Sequence, residues 1–395
     1  MRFIQFKRRS TFAMLATFAM LECASMGSQA EEPIKIGLLL PNTGPFSYMG
    51  RQINAGVQLY LAEHGNTVAG RKVELIIKDD EGKPDSNKRL AQELIVKDKV
   101  TVLAGFGLTP QAFATAPLAT QSKTPMVVMQ AASSSVTEKS PFIVRTSMTL
   151  PQVTLGVADW AYKNKISRVV TLVSDYAPGI DAEKTFISRF TANGGQIVEQ
   201  LRMPVVNPDF APFLQRVSDA KPQAVFVFVP AGTAAAMFMK QFAERGLNKA
   251  GIQVIGPGDV VDDDVLGEMG DEALGAITSH HYSAAHPSAM NKKFVAAIGK
   301  ANNGMRPSFM AVAGYDGMHV IMEGLKVTKG AGGEALVNAM KGQSFESPRG
   351  QIMIDPQTRD IVQDVYIRRV QRVNGKLYNV EFDVSKAVKD PDKNK

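Results

Sequence analysis

The chain has 395 residues, 45% hydrophobic and 21% charged, with a formal net charge of +7. That composition excludes a disordered, collagen-like or low-complexity protein and allows one to three domains with ample core. So small a net charge on so long a chain also argues against a nucleic-acid partner.

Arg2, Lys7, Arg8 and Arg9 form a basic start. Phe12 to Leu21 is an apolar stretch too short to span a bilayer, and Ser28-Gln29-Ala30 resembles a small-residue cleavage site. Residues 1–30 therefore read as a secretory signal peptide. Its removal takes away four basic residues and one acid, which leaves a net charge of +4. The single cysteine, Cys23, lies inside this segment. The remaining chain then has no disulfide and no thiolate nucleophile, which suits an oxidising compartment.

From Pro33 the pattern is strand, turn, helix, repeated. Ile34 to Leu40 is a continuous apolar run, followed by a turn to Met49 and a helix from Gly50 to Glu63. Val73 to Lys78 is a second strand that ends in Asp79-Asp80-Glu81, and a helix bearing Leu90, Leu94 and Ile95 follows. Val102 to Ala104, Met126 to Met129 and Phe142 to Val144 give further short strands. A second series has strands at 168–173, 197–202, 224–229 and 252–255, with helices between them. Buried parallel strands read as apolar runs of this kind, so the repeated βα units predict two doubly wound α/β lobes. Beyond Ile277 the pattern changes to helices at 287–301, 308–326 and 334–340, then a β section over 350–382. The charged end, 386–395, reads as a frayed tail.

The stretch Val102 to Leu118 carries the sharpest local signal. An apolar strand leads through Gly105 and Gly107 to Thr109-Pro110. Thr109 suits an N-cap and Pro110 the first helical position, so a helix start points out at the carboxyl edge of a sheet. Such a start attracts a small anion such as a carboxylate. Phe46, Tyr48 and Tyr176 lie in turns with polar neighbours, where aromatic rings suit a pocket wall. Ser133 can cap or bond locally. Asp259 is either a partner for an ammonium or hydroxyl group or a solvated loop acid. Arg145 suits an ion pair at a hinge better than a ligand contact.

No phosphate-binding G-x-x-x-x-G-K-[ST] loop, G-x-S-x-G elbow or H-E-x-x-H motif is present. His280-His281 with His286 is the one histidine cluster. Neighbouring strand residues point to opposite faces, so the pair is not expected to chelate one ion, although one histidine can face a cleft. Asp262-Asp263-Asp264 lacks calcium-loop spacing and reads as the solvated acidic start of a helix.

The order of motifs carries a family resemblance. It runs from the secretory signal through Ile34-Lys-Ile-Gly-Leu-Leu-Leu-Pro-Asn-Thr-Gly44, Asp79-Asp80 before Pro84, Gly105-Phe106 and the Tyr315-Asp316 helix. In this order the chain resembles the periplasmic substrate-binding proteins of branched-chain amino acid ABC importers over essentially its whole length after residue 30. The resemblance implies a type I periplasmic binding fold, two Rossmann-like lobes joined by a three-segment hinge and closing on a ligand. It places lobe 1 at 33–147 plus 277–354 and lobe 2 at 148–276 plus 355–385. It further implies a periplasmic location, a membrane permease as partner, a small carboxylate ligand, no cofactor and no catalysis. The ligand carboxylate is expected at Leu108-Thr109, beside Phe106, and at Ala131-Ala132-Ser133. Phe46 and Tyr48 would form an aromatic wall. Tyr176, Gly232, Asp259 and His281 would complete the site from the far side.

Two positions depart from the amino-acid binders of that family. Gly258 stands where they offer a carboxylate to the ligand ammonium, and Leu108 replaces a small hydroxyl residue. The segments Ser174 to Asp181 and His280 to His286 are similar to relatives that take up aromatic or other organic acids. The ligand is therefore expected to be an aromatic or organic acid or a branched-chain amino acid. A sensor of amides or amino acids on the same fold is the alternative. An enzyme using Asp259 or His281 as base lacks a nucleophile at recognisable spacing.

Overall fold

The computed structural model describes residues 1–2 and 32–393; Lys7 to Arg9, the apolar run and the cleavage site of the expected signal lie outside the described residues. The first series runs β1 (Ile34–Leu40), α1 (Ser47–His64), β2 (Thr67–Val68), β3 (Arg71–Asp79), α2 (Pro84–Val96), β4 (Val102–Gly105), α3 (Thr109–Ser122), β5 (Met126–Val128) and β6 (Ile143–Arg145). The second runs α4 (Leu150–Lys163), β7 (Arg168–Ser174), α5 (Ala177–Ala192), β8 (Gln196–Met203), α6 (Ala211–Ala220), β9 (Ala224–Phe228), α7 (Thr233–Glu244), β10 (Gln253–Pro257), the short α8 (Leu266–Met269) and β11 (Ile277–His280). Then follow α9 (Ala289–Ala301), α10 (Phe309–Val327), α11 (Gly333–Met340), β12 (Ser344–Ser347), β13 (Gly350–Ile354), β14 (Ile361–Val373) and β15 (Lys376–Val388).

The apolar runs become the sheet centres. β4, β5 and β9 are buried along their whole length, as strands covered on both faces must be. The first sheet has the order β2-β3-β1-β4-β5-β6, parallel except for the β2–β3 hairpin. Strand order reverses at β1, so the crevice lies beyond the ends of β1 and β4. The second sheet has the order β12-β13-β14-β11-β10-β9-β7-β8, with β15 paired to β14. Its parallel half, β8-β7-β9-β10-β11, reverses order at β7. The two switch points bracket the cleft.

After the second series the chain returns to the first lobe. The Gln52 amide of α1 donates to the Arg306 carbonyl at 3.0 Å and accepts from the Ser308 N–H at 2.9 Å, which fixes the start of α10. Tyr315 of α10 donates to Glu63 at 2.8 Å. Three stretches cross between the lobes: 146–149, 281–288 and 341–343. The boundary expected at Ile277 is displaced. β11 pairs in register with β10 and β14, and β12 and β13 extend the same second sheet. The helical stretch between them packs on the first lobe, and the 355–360 turn also reaches it through Arg359 and Asp360. As far as residue 393 the tail is not frayed either. Asp390 is buried, and Lys393 pairs with the buried Asp360.

Buried ion pairs pin the crossings. Arg349 pairs with Asp316 of α10 at 2.7 Å and donates to the carbonyls of Thr146 and Ser147 at 2.6 and 3.2 Å. Arg145 pairs with Asp360 at 2.8 Å, both fully buried, as the sequence reading of a hinge pair requires. Among the described residues no helix is long and apolar enough to cross a membrane.

A candidate ligand cleft between the two sheet edges

The β4–α3 turn is held in a left-handed conformation. Gly105 has φ +106° and Phe106 φ +66°. A side chain on Gly105 would run into the Leu39 carbonyl. Phe106 is non-glycine and pays strain of about 1–3 kcal/mol. Its backbone offsets that cost with two bonds, from its own N–H to the Leu39 carbonyl at 3.0 Å and from the Ala131 N–H to its carbonyl at 2.9 Å. The Phe106 ring is fully buried, so this residue shapes the site from beneath and does not line it.

The turn delivers Leu108 and Thr109 to the cavity. Leu108 takes the N-cap position of α3, and no side chain caps this helix. Thr109 was expected as the cap. It lies one position too late, and its hydroxyl instead accepts from the Ser133 N–H at 3.2 Å. The first amides of α3 are thus left without a side-chain partner, and the helix start carries partial positive charge. Asp79 braces the neighbouring turn from below, accepting from the Thr43 hydroxyl at 2.7 Å and the Asn42 N–H at 2.9 Å.

A narrow, partly open space with a free volume of about 10 Å³ lies between the two switch points. That is far below the ~300–1,000 Å³ usual for small-molecule sites, so the lobes must part from this arrangement to admit a ligand. The first lobe contributes Met49, Leu108, Thr109, Gln130, Ala131 and Ala132. The second contributes Leu150, Tyr176, Pro178, Phe228, Pro230 and Asp259. Tyr176 stacks with Phe228, ring centroids 6.1 Å apart and planes 18° apart. Two flat rings, Leu108 and Leu150 line this slot with apolar surface.

Charge is arranged by position. Asp259 is 4% exposed and its Oδ2 has no partner. Burial pushes its carboxyl up to about 7, while Arg368 pulls the other way. Asp262 is also buried with an unpartnered oxygen, and burial, with the Asp264 and Asp263 charges, raises it too. The acidic triplet is therefore not a solvated helix face: Asp262 and Asp263 are 2% and 3% exposed. Burial also raises the phenols of Tyr48 and Tyr176. The Tyr48 hydroxyl has no partner. An uncapped helix start and a buried, unpartnered acid thus belong to one cavity.

The remaining expected residues fall around this core. Phe46 and Tyr48 line an outer apolar groove with Val206, Pro208 and Met237. Gly232 does not line the cavity; it receives the Tyr48 ring across the cleft. Ser133 spends its hydroxyl on Asp181 of α5 at 2.6 Å, and the Ser134 N–H joins it at 3.0 Å. Both bonds bridge the lobes, so Ser133 serves closure. His281 does not line the cavity. It is fully buried against His280 and Phe309, ring centroids 4.5 and 5.7 Å away. The strand ends at His280, so the alternation that would have separated the two rings does not apply. Among the described residues no group of three or more His, Cys, Asp or Glu is placed to hold a metal. Sequence reading missed Met49, Leu150, Phe228 and Asp181. It also passed over Gln130, which directly precedes the expected Ala131-Ala132-Ser133 stretch.

Comparison with known proteins agrees with this architecture. The periplasmic binding protein family model matches residues 33–376. A Leu/Ile/Val-binding protein homolog of Brucella melitensis is 42% identical over 381 residues, 95% of this chain and 97% of the relative. A solute-binding protein of an ABC transporter from Rhodopseudomonas palustris BisB5, solved with 3,4-dihydroxybenzoic acid, is 62% identical. It superposes with a TM-score of 0.90 over 91% of this chain and 99% of its own. A second R. palustris solute-binding protein, solved with 4-hydroxybenzoate, is 41% identical with a TM-score of 0.89, covering 92% and 99%. With two switch-point sheets, three crossings and a cleft between them, this chain belongs to the periplasmic binding protein family.

Proposed function

We propose that the protein is the periplasmic receptor of an ABC importer and that its ligand is an aromatic carboxylate of the hydroxybenzoate class. The observation that carries this reading is the pairing of the uncapped α3 start with buried Asp259 in one small cavity walled by Tyr176 and Phe228. A carboxylate sits at the helix start, where amides and dipole favour an anion. The ring enters the slot as the lobes part to admit it. A phenolic hydroxyl donates to Asp259, which satisfies an acid that is otherwise costly to bury. The benzoic acids bound by two similar solute-binding proteins support the same class. The closed lobes, with the Ser133–Asp181 bond between them, form the shape that a membrane permease receives. The family is one of solute binders, and the site is read as performing no chemistry.

A branched-chain amino acid is the second reading, favoured by the name of the Brucella relative. Its ammonium would take the place of the phenol at Asp259. Thermal unfolding of ligand-stripped protein against a panel of acids separates the two. Ligand at about 100 times its Kd adds about 2.7 kcal/mol of stability. Upward shifts with 4-hydroxybenzoate and 3,4-dihydroxybenzoate but not leucine support the first reading. The reverse pattern supports the second.

A further inference from the structure

The family match ends at residue 376, yet the last described residues are built into the support of the cleft. Val388 accepts the Gln152 side-chain amide at 2.6 Å, and Lys389 pairs with Asp355 at 2.8 Å. Asp390 Oδ2 accepts the Ser134 hydroxyl at 2.6 Å, with both residues buried. Lys393, its side chain 5% exposed, pairs with Asp360 and touches the Thr137 hydroxyl.

Two of these contacts lead to one loop, that of Asp390 directly and that of Lys393 through Asp360. Asp360 is also the partner of Arg145. Arg145 donates to the carbonyls of Ala131, Ser133 and Ser134 at 3.3, 2.8 and 3.2 Å. The same loop presents Ala131 and Ala132 to the cavity and holds Asp181 across the cleft through Ser133 and Ser134. Its side chains are short. Alanines and serines reach too little of the core to fix a loop by packing, so its position depends on polar contacts made to it from outside.

We propose that residues 388–393 form a strap that positions the Ala131–Ser134 loop for ligand binding and lobe closure, with Asp390 and Lys393 as its positioning residues. Two cations, Arg145 and Lys393, share Asp360, and Asp390 holds the loop hydroxyl directly. Removing the strap leaves Asp360 with one cation and Ser134 with no acceptor from the tail. The loop then keeps its fold but loses its set height against the cavity.

The test uses the full chain and 4-hydroxybenzoate, a probe whose choice rests on the proposed function. Asp390→Ala, and a chain ending at Lys389, are expected to raise Kd about tenfold, mainly through faster release. The melting temperature without ligand should change far less than the affinity. Ser134→Ala should weaken binding similarly and Ser134→Thr should restore it. The double variant Ser134→Ala/Asp390→Ala should be no worse than either single, because one bond is lost in all three. A Kd within about twofold of wild type in both Asp390→Ala and the shortened chain would overturn the proposal, at roughly 0.4 kcal/mol of effect by the tenfold-per-1.4 kcal/mol rule. If wild type binds no benzoate, the ligand class fails and the strap is decided by amide exchange at residues 131–137. Faster exchange in the shortened chain upholds it, and unchanged exchange overturns it.

Discussion

The ring of Tyr48, on the first lobe, lies so close to Gly232 of the second that a Cβ there would sit 2.5 Å from the Tyr48 Cε1 atom. Gly232 has φ +94°, a conformation that other residues rarely adopt. The two residues meet because α1 and α7 start at facing sheet edges. Their contact spans the two lobes, so opening of the cleft is expected to break it.

Gly232→Ala should therefore act on closure more than on folding. The strain of a non-glycine residue here is about 1–3 kcal/mol, and the added clash with Tyr48 falls on the closed state alone. Ligand affinity is expected to fall at least tenfold, while the unliganded melting temperature drops by only a few degrees. Calorimetric titration beside thermal unfolding distinguishes the two effects; equal losses in both would contradict the closed-state argument.

Asp181→Ala removes the acceptor of two interlobe bonds, from Ser133 Oγ and the Ser134 N–H. Intramolecular hydrogen bonds contribute about 0.5–1.5 kcal/mol each net. The variant should bind ligand about ten to a hundred times more weakly, with faster release. Ser133→Ala should lie between it and wild type, since the Ser134 bond survives. Stopped-flow release rates check the order.

Asp259 gives a pH signature. Its folded carboxyl is raised to about 7, so the native state holds a proton that the unfolded chain gives up near pH 4. Stability from this group is fully present below about pH 4 and is lost as pH rises through about 7. Other buried acids, including Asp262 and Asp263, slope the same way, so the comparison must be with Asp259→Asn. The difference in ligand-free unfolding free energy, wild type minus variant, should decline between about pH 4 and 7. A flat difference would show that Asp259 titrates normally.

Arg145→Met should be the costliest of these changes to the fold. The guanidinium is fully buried, pairs with Asp360 and donates to four carbonyls, the fourth being that of Met148. Breaking a buried pair from one side costs about 3–5 kcal/mol. Denaturant unfolding of ligand-free protein should show that loss; a loss below about 1 kcal/mol would mean that Lys393 alone compensates Asp360.

Much of the scaffold is legible because a doubly wound sheet writes itself as apolar runs. β1, β4, β5 and β9 were readable for this reason, and the switch points then selected the turns that carry Leu108, Ala131, Tyr176 and Asp259. β11 was not readable: in Ile277-Thr-Ser-His280 only one residue is apolar, and its burial depends on Arg368 donating to Thr278 from β14. The tail misled for a similar reason. Lys389, Asp390 and Lys393 look solvated in sequence because their partners are Asp355, Ser134 and Asp360, far along the chain.

Site chemistry was legible by position and not by partner. Thr109 and Ser133 were expected as ligand contacts; Thr109 lines the cavity and Ser133 bridges the lobes beside it. Which hydroxyl bonds which group depends on a helix boundary one residue away and on an acid 48 positions downstream. The His280-His281 pair followed strand alternation only up to the last residue of β11.

The most direct measurement is a calorimetric comparison of 4-hydroxybenzoate, benzoate and leucine on ligand-stripped protein. The phenol that meets Asp259 should make 4-hydroxybenzoate bind about tenfold tighter than benzoate, about the worth of one hydrogen bond. Asp259→Asn should narrow that gap, and leucine should bind more weakly than either acid. Tightest binding by leucine, or equal binding of the two benzoates, would contradict the assignment of the cavity to a hydroxylated aromatic acid.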